Sequence, residues 1–211
     1  MFQPPIFREE RIEVMHDLMK EHPFATLVSS ENGHLSADHL PFAVHSELSE
    51  NGILRGHIAA GNPLCRGTQE RMDVLAVFQG PQAYVSPSWY PSKQEHGKAV
   101  PTWNYAVVHA YGVLRFSKDP DWLKDHLVEL TSRNESHRTS SWAVSDAPSD
   151  YLARQLKGIV GIEIEVETLS GSWKVSQNKA DQDRAGVVAG LLRENATQAA
   201  AVSDLVKRGT K

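Results

Sequence analysis

The chain is 211 residues long and carries a formal net charge of −4, from 22 Lys and Arg against 26 Asp and Glu. That length reads as one domain spanning 1–211, large enough to bury a core without metal or disulfide staples, and the single cysteine, Cys65, excludes an intramolecular disulfide framework. No apolar run approaches the roughly 20 residues that span a bilayer and no secretory leader is visible, so the expected compartment is the cytoplasm, with no membrane partner. The densest basic cluster is Lys207, Arg208 and Lys211 at the C-terminus; without a basic face, direct DNA binding is not expected.

In chain order, Glu9 to Lys20 reads as a helix with Ile12, Met15 and Met19 on one stripe and Val14 and Leu18 widening it. Phe24 to Ser30 reads as a strand, Asn32-Gly33 as a type I′ hairpin turn, and His34 to Val44 as the returning strand, bent near Pro41. Gly52 to Ile58 and Asp73 to Gln79 are further strands. Gly80-Pro81 is expected to turn the chain into a separate strand, Ala83 to Ser86. The longest strand is Thr102 to Phe116, with apolar residues on both faces. Asp119-Pro120 is an N-cap with proline at the first helical position, opening a helix through about Arg133 on Trp122, Leu123, His126, Leu127 and Leu130. Ser149 to Lys157 reads as a short helix, Ile159 to Val166 as the last strand, and Asp181 to Arg193 and Thr197 to Lys207 as closing helices. His137 to Ser149 reads as a long loop. Hairpins rather than strand-helix-strand alternation give an α+β class, an antiparallel barrel with peripheral helices.

The histidines form no HxxxH pair or Cys/His spacing, and Ser86 and Ser88 lie in no GxSxG elbow. No metal site is expected. Four other segments carry chemistry. Ala83 to Tyr105 places Tyr and Trp among prolines, aromatic faces beside fixed corners that suit a flat ring or else cap a core. His57 to Pro63 passes from a strand into small residues, where backbone N–H groups can approach an anion, or where the chain simply turns. Asp38 and His39 interrupt a strand that should be apolar on at least one face. In Trp173 to Lys179, alternation sends Trp173 and Val175 one way and Lys174 and Ser176 the other, so the polar pair can line a pocket.

HIAAGNP, AYVSPSWY, GKAVPTWNYAVVHAYG and WKVSQNK, in that order and spacing, resemble the PaiB family of bacterial FMN-binding proteins, related to the pyridoxamine-phosphate-oxidase-like split barrels. The resemblance covers Met1 to about Leu192. It implies an FMN-binding split β-barrel homodimer with flavin at the subunit interface, and a negative transcriptional regulator acting indirectly. The alternative is a flavin-dependent oxidoreductase or a haem-degrading enzyme on the same barrel. By position, the resemblance places His57, Ala60 and Asn62 near the flavin phosphate and Asp38 and His39 along the ring edge. Trp103, Asn104 and Tyr105 would close the pocket from the dimer partner, with Lys174, Gln177 and Asn178 donating hydrogen bonds. Where the related oxidases carry a His, Asp, Arg run, this chain has Ser176, Gln177 and Asn178, so much less positive charge faces the site.

Overall fold

The computed structural model describes all residues except 32, 67–70, 195–197 and 210–211, and the side chain of residue 66 is also left out. Its strands are β1 (Arg8–Glu9), β2 (Phe24–Glu31), β3 (His34–Pro41), β4 (Ala43–His45), β5 (Ile53–Ala59), β6 (Met72–Val85), β7 (Thr102–Ser117) and β8 (Ile159–Lys174). The helices are α1 (Ile12–Glu21), α2 (Ser92–His96), α3 (Pro120–Glu135), α4 (Ser149–Leu156), α5 (Asp181–Glu194) and α6 (Ala199–Arg208). Hydrogen-bonded neighbours run β3-β2-β6-β7-β8-β5-β4, with β1 added on β8. This is the α+β class expected, an antiparallel split barrel with peripheral helices.

The residues divide into two compact units: 1–22, 78–109 and 170–211 form one, and 23–77 and 110–169 the other. In the second unit, β2 and β3 pair from Phe24↔Pro41 to Glu31↔His34. That register leaves two residues for the turn; Gly33 there has φ +79°, the left-handed value a tight hairpin requires, while Asn32 lies outside the described residues. The bend near Pro41 ends β3, and Ala43 to His45 pair instead with β5. The core joins Leu27, Phe42, Leu54, Leu114, Ile162 and Ile164. Above β5 lies α3, opened by the Asp119 carboxylate accepting the Asp121 N–H at 2.9 Å. Gly161 is required there, because a Cβ would stand 2.2 Å from the Trp122 indole.

In the first unit, α1 begins at Ile12 rather than Glu9, because Arg8 and Glu9 pair with Ser172 and Gly171. Glu9 then accepts the Arg11 N–H at 3.0 Å, closing the start of the helix. Two expectations are corrected by longer strands. Gly80-Pro81 does not turn the chain but lies within β6, where the missing Cβ admits Leu18 and the Ala106 carbonyl, 2.8 and 3.1 Å from where it would stand. The last strand does not stop at Val166 but runs to Lys174, taking in the first residues of the closing motif. Short 3-10 turns stand at Pro5–Phe7, Pro63–Arg66, Pro87–Trp89 and Val144–Asp146, the last within the segment expected to be a long loop. Among the described residues, no helix is long and apolar enough to cross a membrane.

Candidate functional site

The second unit carries the turn expected to hold an anion. β5 alternates, Leu54, Gly56 and Ile58 facing the core and Arg55 and His57 the other side. His57 Nδ1 stands 3.1 Å from His126 Nε2 of α3, and His126 stacks on Trp122 at 5.5 Å. Nδ1 of His126 is buried without a partner among the described residues. A buried N–H lacking an acceptor is the costlier arrangement, so the proton belongs on Nε2, which donates to His57. His57 is thus committed to α3 through one ring nitrogen. Around this pair, Arg55 bonds Glu163 at 2.8 Å and lies 5.7 Å from the Trp122 ring centre, while His45 sits 3.2 Å from Glu129.

In the turn itself, the Ala60 N–H donates to the Gly158 carbonyl at 2.9 Å and the Asn62 N–H to the Ala59 carbonyl at 2.9 Å. The Asn62 amide donates to Asp38 at 2.7 Å, and its carbonyl accepts the Leu64 N–H at 2.8 Å. Asp38, expected along the ring edge, and Asn62, expected near the phosphate, are therefore partners of one another. His39 is exposed on β3, an edge strand. Burial raises the pKa of the nearby Cys65 thiol; Lys118 opposes this and Asp38 adds to it.

The first unit holds the rest. Trp103 and Tyr105 lie on one side of β7 and Asn104 on the other, so the expected trio is split. Asn104 is 1% exposed and donates to Ser176 Oγ at 2.9 Å. Beside it, Lys174 Nζ donates to Thr102 Oγ1 at 2.5 Å. Adjacent strands thus contribute a polar row, Thr102, Asn104, Lys174 and Ser176, while Trp173 and Val175 are buried as the alternation predicts. Asn104 and Lys174 each have more N–H groups than the partners they meet here.

Ser176 adopts φ +63°, the single non-glycine residue with positive φ among those described, a conformation that persists only when its surroundings enforce it. Gln177 supplies that enforcement: its carbonyl accepts the Val175 N–H at 2.8 Å and its amide donates to the Trp173 and Ile6 carbonyls at 2.5 and 3.0 Å. Gln177 therefore holds the turn, and Asn178 is left exposed. Replacing Asn104 with Ala strands the Ser176 hydroxyl in the interior and is expected to destabilise the protein by about 2 kcal/mol. Urea melts of N104A and of the double variant N104A/S176A check this; a single variant within experimental error of the native protein would show the pair to be idle.

The aromatic segment divides too. Trp89 is core, its indole lying where a Gly190 Cβ would be 2.2 Å away, and Ser92 binds Asp183 through its N–H at 3.1 Å and its hydroxyl at 2.7 Å. Tyr90 was missed by sequence reasoning as a site residue. It is buried with its hydroxyl unpartnered among the described residues, and Lys179 stands 5.1 Å from its ring centre. Burial first, then the Asp183 carboxylate, raises its pKa. A second aromatic residue directly after Trp89 in a proline-bent segment is the signal that could have singled it out.

Fold and residues together define a class, the split barrels with a polar row between adjacent strands. The fold is shared with the FAD and haem binding protein from Mycobacterium smegmatis, at a TM-score of 0.57 and 17% identity over 84% of this chain and 78% of that one. It is shared also with the flavocytochrome Anf3 from Azotobacter vinelandii, at 0.54 and 10% over 85% and 75%. Within that class the chain belongs to the PaiB family: residues 1–168 match the family described as "Putative FMN-binding domain". It is 34% identical over 207 residues to the protease synthase and sporulation protein PAI 2 of Bacillus subtilis, covering 98% of this chain and 97% of that one. An uncharacterized protein of Emericella nidulans, AN0679, is 31% identical over 98% and 96% of the two chains.

Proposed function

We propose that this protein binds FMN as a homodimeric split barrel and acts as a negative regulator of transcription without contacting DNA itself. The observation that carries the reading is the polar row of Thr102, Asn104, Lys174 and Ser176 in a chain whose residues 1–168 match an FMN-binding family. Uncommitted N–H groups on Asn104 and Lys174, and the unpartnered hydroxyl of Tyr90, fit the heteroatom-rich edge of a flavin. Asp38 and His39 in the second unit, and Tyr105 and Asn178 in the first, are exposed or half-exposed. Flavin would supply the redox chemistry, and the chain its binding and orientation. The regulatory part rests on the sporulation relative and on the net charge of −4, which argues against direct repression.

The phosphate fits less simply. The Ala60 and Asn62 N–H groups are already committed, and the Asp38 carboxylate stands 2.7 Å from the Asn62 amide. If the phosphate lies at 57–62, Asp38 opposes it by like charge, and neutralising Asp38 should tighten FMN while leaving riboflavin unchanged. Titrations of FMN and riboflavin against the native protein and D38N are expected to show FMN bound more tightly, about tenfold so in the variant. Equal affinities for the two flavins throughout would remove the phosphate from this turn. Failure of both to bind would remove the flavin reading.

The homodimer reading is supported by β3, an edge strand whose residues 34–37 are all exposed, Leu35 at 79%. Sedimentation at micromolar concentration is expected to give a dimer. A monomer there would count against any site completed by a second copy.

A further inference from the structure

We propose that the first unit carries a site for an organic cation of the quaternary ammonium class, walled by Tyr84, Trp103 and Glu194. The inference does not rest on the flavin reading. Tyr84 on β6 and Trp103 on β7 have ring centres 6.1 Å apart and planes at 74°. These large aromatic residues are 45% and 53% exposed, far more than Trp89 and Tyr90 in the same segment, which are 8% and 3% exposed. Their rings line a depression of about 480 Å³ whose floor includes Leu191 and Ala199, both buried, and whose wall includes Glu194 at the end of α5.

Charge and geometry select the occupant. Among the described residues lining the depression, Glu194 is the one charged group, and its carboxylate has no hydrogen bond or ion pair with another described residue. Among the described residues, no lysine, arginine or histidine lines it to neutralise that carboxylate or to attract an anion. A flat neutral ring is held best between parallel walls, which two rings at 74° do not supply. A compact cation needs no particular ring plane and is drawn to the negative π-face of an exposed Trp or Tyr, the attraction by which aromatic cages take trimethylammonium groups. The apolar floor suits N-methyl groups, which carry the charge without requiring hydrogen-bond partners. An uncharged group of the same shape gains the floor but neither the rings' field nor the carboxylate.

Calorimetric titration with choline and with its uncharged carbon isostere, 3,3-dimethylbutan-1-ol, tests the proposal on the full chain. Choline is expected to bind about tenfold more tightly than the isostere, W103A to lose about tenfold in choline affinity, and E194Q to lose a few-fold together with its salt dependence. Both side chains are exposed, so neither substitution bears on folding, and native far-ultraviolet dichroism of each variant checks this. Equal affinity for the two probes would make the depression a merely apolar groove and overturn the assignment. So would choline affinity unchanged in W103A, or no saturable choline binding at concentrations on the order of tens of millimolar.

Discussion

Lowering the pH from 7.5 to about 4.5 is expected to cost the native protein about 2.5 kcal/mol of stability through His126. This side chain is 3% exposed, and its pKa is pushed down to about 4 by burial first, then by His57, Arg55 and His45. His57 is lowered in the same sense by burial. In the unfolded chain an imidazole titrates near 6.5. As the pH falls below that value the unfolded state takes up a proton that the folded state refuses, so the contribution is intact above about 6.5 and lost progressively toward 4. Glu47, Glu129 and Glu163 carry negative charge nearby, but Glu163 is committed to Arg55, and the glutamates approach His45 rather than His126. Carboxylates elsewhere in the chain also titrate at the lower end of this window. The measurement is therefore the difference between urea melts of the native protein and of H126F, whose ring can still stack on Trp122, at pH 7.5, 5.5 and 4.5. The native protein should lose more than the variant at each step down; parallel profiles would show that the histidine pair has no part in acid sensitivity.

Gly186→Ala is expected to destabilise the protein by about 3 kcal/mol, opposite in sign to the usual effect of filling a helical glycine. In an exposed helix interior, Gly to Ala gains about 1 kcal/mol. At Gly186 the added Cβ would stand 2.0 Å from the Trp89 carbonyl oxygen and 3.0 Å from Pro91 Cδ. A backbone carbonyl and a proline ring cannot swing aside as a long side chain can, so α5 itself must lift from the Pro87–Trp89 turn. That movement breaks the Asp183 bonds to Ser92 and displaces the Leu191 and Glu194 wall beside Tyr84 and Trp103. Thermal or urea denaturation of G186A beside A189G, an exposed position of the same helix, separates the two effects. The control should lose only about 1 kcal/mol, and a G186A variant as stable as the native protein would mean that α5 is seated loosely.

Much of the local structure was legible because its causes are local. The Asp119-Pro120 start of α3 depends on an N-cap and a fixed φ, and the side-chain directions of Trp173 to Ser176 depend on the period of a strand; both are properties of a few consecutive residues. The hairpin from β2 to β3 belongs with them, and so does the α+β class, since it follows from hairpins in sequence. The family resemblance was also carried by residues in order along the chain, before any contact was known.

Contacts between distant residues decided the rest. Gly80-Pro81 has the chemistry of a turn, yet Leu18 and Ala106 close over the glycine, and the strand continues through it. β8 runs on through Glu167, Thr168 and Ser170 because β1, far off in sequence, pairs with its end. The candidate site shows the same division. Residue types at Lys174, Ser176 and Asn104 announced hydrogen bonding, but nothing local could tell that Ser176 and Asn104, 72 residues apart, would bond to each other, or that His57 would meet His126, 69 residues on. Side-chain type and strand period are written in neighbouring residues, whereas the partner that satisfies a buried polar group is chosen by packing, which only the folded chain brings about.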